Sequence, residues 1–139
     1  MKFEYSLQEN WPPLAWLARL KPGKATVLVM HGPAVESRPD WFCECVWDSR
    51  YSEGGFDQTD IVAGTGGRLR GDVINLVSSG STVDRIQYLE HDGAFWVSNS
   101  IVCLAATLGA SFDPVYPHYL RDFISVIRGL GPYVRTLTS

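Results

Sequence analysis

Serines at 78, 79 and 81, histidines at 31, 91 and 118, and a carboxylate at Asp84 are the residue types of nucleophilic hydrolysis. In that chemistry a histidine takes the serine proton while a carboxylate fixes the imidazole. The sharp turn that presents such a serine, Gly-x-Ser-x-Gly, does not occur in the sequence. His91 falls in an expected hairpin turn and His118 in the first turn of an expected helix, both surface positions. His31 directly follows an apolar run, and Ser78, Ser79, Asp84 and Arg85 gather where a hairpin begins. These five residues form the candidate residual site. One reading of the chain is therefore a small free-standing hydrolase using His31 or His118 with a nearby carboxylate.

Other constellations carry weaker chemistry. Cys43-x-Cys45 is half a metal site, but zinc needs two further ligands in a second paired motif, and neither Cys103 nor His31 supplies one. Two thiols on the buried face of a strand is the better account, and neither a metal nor a cofactor is implied. Gly64-Thr65-Gly66-Gly67, with Arg68 and Arg70, has the composition of an anion nest. A phosphate loop would open a helix, whereas here a strand follows, so a plain turn over 65–72 is expected. Arg70-Gly71-Asp72 is ordinary turn chemistry. Asp57 and Asp60 are three apart in a polar loop, where solvated or capping roles outweigh acid–base work.

These residues need elements to hold them. Residues 2–7, 25–30, 41–47, 61–64 and 73–78 read as strands. Along WFCECVW, alternation puts Trp41, Cys43, Cys45 and Trp47 on one face and Phe42, Glu44 and Val46 on the other. RIQYL and AFWVS flank His91-Asp92-Gly93 as a hairpin whose turn residues accept positive φ. Asp84 and Arg85, at the start of this hairpin, are placed to pair across it. Pro12-Pro13 before LAWLARL reads as a short helix entered through proline. Ile101, Leu104, Ala105 and Leu108 mark a helix with a serine cap and Gly109 as its stop. A last helix starts near Pro117 and repeats the spacing at Leu120, Phe123, Ile124 and Ile127. PYVRTLTS then reads as a strand that stops at Ser139. The expectation is an α+β fold, a layered sandwich of two mostly antiparallel sheets flanked by helices.

Composition narrows the function classes. The chain has 139 residues, the size of one domain, with 45% hydrophobic and 19% charged residues. A net charge of −3 with scattered basic residues argues against nucleic-acid or anionic-membrane partners. No apolar run approaches the roughly 20 residues of a membrane span, and the first residues have no leader-like apolar core. Three cysteines, an odd number in apolar surroundings, fit buried free thiols in a reducing cytoplasm. Five Trp, six Tyr and six Phe would also suit a homodimerisation surface.

Taken in order, residues 41–105 resemble a known module. WFCECVWDS at 41–49, VINLVSSGSTVDRIQYL at 73–89, His91-Asp92-Gly93, and FWVSNSIVCLAA at 95–106 follow the motif order of the N-terminal glutaminase domain of asparagine synthetases and related class II amidotransferases. SVIRGLGPYVRTLTS at 125–139 is similar to the segment that family places before its synthetase domain. The resemblance implies an N-terminal nucleophile (Ntn-type) αββα fold. It also implies that residues 1–139 are a single glutaminase-like domain, the N-terminal part of a longer polypeptide, with an ATP-dependent ligase domain downstream or in a partner chain.

The departures imply that the chemistry is lost. The family's nucleophile is a cysteine that follows the initiator Met, with its own α-amino group as base; here Lys2 follows Met1, and all cysteines are internal. The Asn-Gly-Glu motif that binds glutamine is missing. Ser78 and Ser79 replace the family's Arg-Asp, Thr82 and Arg85 its Gly and Pro, and Asn99 its Glu. An amidase without nucleophile and oxyanion hole loses most of its rate. The implied function is a catalytically inactive accessory domain with a structural or substrate-binding role.

Overall fold

Periodicity decides most of this chain, and the computed structural model describes residues 1–81, 83–111, 113–121 and 124 of it. Two compact units divide it, Met1–Leu104 and Ala105–Ser139. Nearly all the regular structure of the first unit is strand. A five-stranded sheet is built from β1 (Lys2–Leu7), β2 (Trp16–Leu20), β3 (Thr26–His31), β10 (Gln87–His91) and β11 (Ala94–Ser98), in the order β1-β3-β2-β11-β10. A four-stranded sheet follows the order β4 (Glu36–Arg38), β5 (Trp41–Cys43), β8 (Thr65–Arg70), β9 (Val73–Ser78). β6 (Val46–Trp47) and β7 (Val62–Ala63) form a small third sheet. β1 and β3 run parallel, and every other pair is antiparallel.

The two larger sheets share one core. Phe3, Trp16, Ala18, Val27, Val29 and Val97 from the first meet Phe42 and Leu69 from the second, with Val35 between them. Phe42 is its centre, edge-on to Phe3 at 5.2 Å and to Trp16 at 4.9 Å between ring centroids, the geometry the ring quadrupole favours. The opposite face of β5 feeds a second core of Trp41, Cys43, Cys45 and Phe56, against which Trp47, Val62 and Val77 pack. The alternation read along 41–47 thus separates the two cores, although the strand breaks at Glu44 into β5 and β6.

The expected α+β sandwich flanked by helices is not what forms: the fold is mostly β, in three sheets. Among the described residues the helices are α1 (Ile101–Leu108), two short 3-10 turns at Tyr51–Glu53 and Phe56–Gln58, and helical residues at 119–121 and 124. The segment after Pro12-Pro13, expected as a helix, is strand β2. Trp16, Leu17 and Ala18 are all fully buried there, so both faces are covered and the apolar run has no strand alternation to distinguish it from a helix. Residues 65–70, expected as a turn, are an inner strand, β8. Gly66 faces Cys43 so closely that a Cβ would lie 2.6 Å from the Phe42 carbonyl oxygen, so glycine there permits close strand approach. The expected strand at 132–139, most of the last helix, and the similarity over 125–139 lie outside the described residues.

The hairpin forms as its sequence demands. Asp92 (φ 50°) and Gly93 (φ 66°) are both left-handed, as a two-residue type I′ turn requires, and His91 pairs with Ala94 across it. In α1 the Ser100 hydroxyl accepts from the Cys103 amide at 3.3 Å, a side-chain N-cap.

Trp16 joins these elements. Its ring lies between the sheets, its amide donates to Asn99 Oδ1 at 2.8 Å, and its carbonyl accepts from the Ser98 hydroxyl at 2.5 Å. Replacing it by alanine is expected to cost about 3–5 kcal/mol, read as a lower urea midpoint with unchanged slope. A midpoint equal to that of the native chain would show that the ring is not part of a common core.

Candidate functional site

Where β2 begins, β8 begins and β11 ends, the chain leaves a depression of ≈ 480 Å³ open to solvent. Pro12, Pro13, Leu14 and Ala15 form one wall, Val83, Asp84 and Arg85 another, and Glu44, Thr65, Asn99 and Ser100 lie between. The proline wall is held by main-chain bonds: the Gly32 amide donates to Ala15 O at 2.8 Å and the Ala34 amide to Pro13 O at 2.9 Å.

The polar side chains of this depression hold backbone. Glu44 Oε1 accepts from the Thr65 amide at 2.8 Å, the Thr65 hydroxyl at 2.5 Å and Asn99 Nδ2 at 3.4 Å. Thr65 Oγ1 in turn accepts from the Trp16 indole at 2.8 Å, so a continuous chain of bonds runs from the core to the cleft. Asp84 Oδ2 accepts from the Gly64 amide at 3.0 Å and the Ser79 hydroxyl at 2.5 Å. Asn99 bridges Trp16 N, through Oδ1, to the Leu14 carbonyl, through Nδ2 at 2.9 Å. Burial pushes the Glu44 carboxyl above the usual carboxylate range, against the pull of its Thr65 and Asn99 donors.

Of the five expected site residues, Ser79 and Asp84 are brought into direct contact, and Asp84 and Arg85 line the depression. Asp84 captures the Gly64 amide and the Ser79 hydroxyl. Ser78 is an exposed residue at the end of β9, opposite Thr65. His31 is buried at the end of β3, where Nδ1 donates to the Gly32 carbonyl at 2.9 Å and the ring meets Tyr5 edge-on. The lining of the depression, among the described residues, contains no histidine. His118 belongs to the second unit and packs edge-on against Tyr116. Glu44, Thr65 and Asn99 were not among the expected residues. The signal for Glu44 was a lone carboxylate in the apolar run WFCECVW, on the face opposite the cysteines.

The Asp57 carboxylate, expected to be a solvated or capping group, is instead buried. It accepts Arg70 Nε at 3.0 Å, Arg70 Nη2 at 2.7 Å and Asn75 Nδ2 at 3.0 Å. This fork-to-fork pair pins the 3-10 turn at Phe56–Gln58 onto β8 and β9, and the Arg70 bond holds the Asp57 carboxyl below its ordinary range. Arg70 of the Arg-Gly-Asp tripeptide is thereby committed to an ion pair within the chain.

Comparison of the chain with protein families, with curated proteins and with solved structures finds no match.

The two carboxylates titrate in opposite senses. Asp57, with its folded value depressed, contributes stability above the unfolded carboxylate value and loses it as pH falls through the folded one. Asp57→Asn is therefore expected to destabilise near neutral pH by about 1–3 kcal/mol, discounted for the partly exposed Arg70, and to converge with the native chain in acid. Glu44, with its value raised, is favourable when protonated and loses stability as pH rises through its folded value. Glu44→Gln keeps the acceptor for Thr65 and is expected to match or exceed native stability at neutral pH, with no advantage in acid. Urea melts across pH 3–8 check both signs; a Glu44→Gln protein weaker at neutral pH would refute the burial account.

Proposed function

We propose that this chain is a non-catalytic accessory domain of an ATP-dependent, asparagine-synthetase-like ligase, with a structural or substrate-binding role beside a ligase domain that is downstream or in a partner chain. The observation that carries the non-catalytic half is the use of the cleft's polar groups: Glu44, Asp84 and Asn99 grip the backbone at Thr65, Gly64, Trp16 and Leu14. A carboxylate that is bound to amides as a strut cannot exchange protons with a substrate without releasing the loop it holds. The ligase half is supported by the order of the motifs WFCECVWDS, VINLVSSGSTVDRIQYL, His91-Asp92-Gly93 and FWVSNSIVCLAA. The αββα architecture of the glutaminases forms no part of the proposal, since the fold is mostly β.

Incubated with glutamine, the purified chain is expected to release no ammonia above the buffer rate in a glutamate-dehydrogenase-coupled assay. Ammonia release that disappears on replacing a single cysteine by serine would overturn the proposal. Asp84→Asn is expected to lower thermal stability, because the Gly64 amide and the Ser79 hydroxyl lose a charged acceptor.

A further inference from the structure

Cys43 and Cys45 occupy neighbouring positions on the buried face of one chain segment, both within the second core. The segment is not extended between them: β5 ends at Cys43, the backbone bends at Glu44, and β6 opens only at Val46. In a straight strand, side chains two residues apart stand about 7 Å apart, too far for a sulfur–sulfur bond. A bend shortens that span towards the separation at which disulfides form. The Cys43 sulfur lies 3.8 Å from the Cys45 carbonyl oxygen and 3.9 Å from the Tyr51 hydroxyl. The third thiol, Cys103, sits on α1 outside this cluster.

We propose that Cys43 and Cys45 are a reversible redox modification site, closing to an intramolecular disulfide under hydroperoxide and reopening with thiol reductant. The Cys43 thiolate attacks one peroxide oxygen, the O–O bond breaks, and hydroxide leaves, giving Cys43 sulfenic acid. The Cys45 sulfur then attacks the Cys43 sulfur; the S–O bond breaks, and the hydroxyl leaves as water with the Cys45 proton. Two electrons pass from the two thiols to the peroxide, which becomes two waters once the hydroxide takes the proton first shed by Cys43.

The surroundings assign the two roles. The Tyr51 hydroxyl at the surface contacts the Cys43 sulfur at 3.9 Å, and its neighbour Cys45 lowers the Cys43 thiol, so Cys43 is the attacking sulfur. Access to it runs past Tyr51, which is 46% exposed and belongs to a 3-10 turn with no buried residue of its own. Tyr51 stacks on Trp47 at 4.7 Å and meets Trp41 edge-on, so peroxide reaches the sulfur when this turn opens locally. The residue carried between the sulfurs is Glu44, so closing the ring alters the segment that supplies the cleft's carboxylate. The inference stands on the second core and not on the proposed function.

The test treats the full chain with a small excess of hydrogen peroxide, denatures it in N-ethylmaleimide, and measures intact and peptide masses. The expected product has lost about 2 Da before alkylation. It takes up one maleimide, on Cys103, instead of three, and recovers all three after dithiothreitol. Three maleimides after peroxide, added oxygen on both cysteines without loss of hydrogen, or a bond to Cys103 would each overturn the proposal. Cys45→Ser, confirmed folded by circular dichroism, is expected to leave a sulfenic acid on Cys43 that dimedone traps. Trapping on another residue would overturn the assigned roles.

Discussion

The bond from the Trp16 indole to Thr65 is the contact on which the rest of the structure depends. A fully buried indole must find an acceptor, and here it finds a hydroxyl that is itself held by Glu44. That requirement fixes β2 against β8, and so one sheet against the other, at the point where their strands begin. Around it, the Trp16 amide and carbonyl are satisfied by Asn99 and Ser98, which ends β11 at the same level. The hairpin of β10 and β11 is therefore locked at its open end by a residue about 80 positions earlier. Its turn, by contrast, is secured locally by Asp92 and Gly93.

The parts of this fold that were legible in the sequence are those where local rules act alone. Period-two alternation along WFCECVW separates two cores correctly, because each side chain there is apolar or points at a specific partner. The hairpin turn and the Ser-capped helix α1 are likewise local. The errors lie where tertiary packing overrides propensity. β2 is buried on both faces, so its residues form a continuous apolar run whose spacing fits helix and strand equally. β8 is rich in glycine, a poor strand former, and becomes an inner strand only because Phe42 and Cys43 press against it. Nothing along residues 65–70 announces that neighbour. Reading β2 as a helix and β8 as a turn added to the weight that the two late helices gave to the α+β expectation.

The site was legible in half. Ser79 and Asp84 lie five apart in a loop, and short-range geometry was enough to place them together. Glu44, Thr65 and Asn99 converge from three distant segments, so their meeting depends on the register between β5, β8 and the end of β11, which no local pattern states. Asn99 was legible only as a departure from a family motif, and its work turns out to be holding Trp16 and Leu14. His31 drew attention because a histidine after an apolar strand often faces a cleft. Here the strand's own alternation turns it inward, onto the Gly32 carbonyl and the Tyr5 ring.

Struts of this kind have a consequence for binding. A cleft whose carboxylates are free must be reorganised by its ligand, and that ordering subtracts from affinity. Here the carboxylates and the asparagine are already fixed by amides and by a buried tryptophan, so the shape of the cleft is set by the stability of the fold itself. Changes at Trp16, Thr65 or Asn99 would then disturb the cleft and the core together, because they share one hydrogen-bonded chain. The Asp57–Arg70–Asn75 cluster lies outside that chain of bonds and braces the far face of the second sheet. Two polar networks thus divide the labour: one joins core to cleft, and the other fastens a turn over the aromatic core that encloses Cys43 and Cys45.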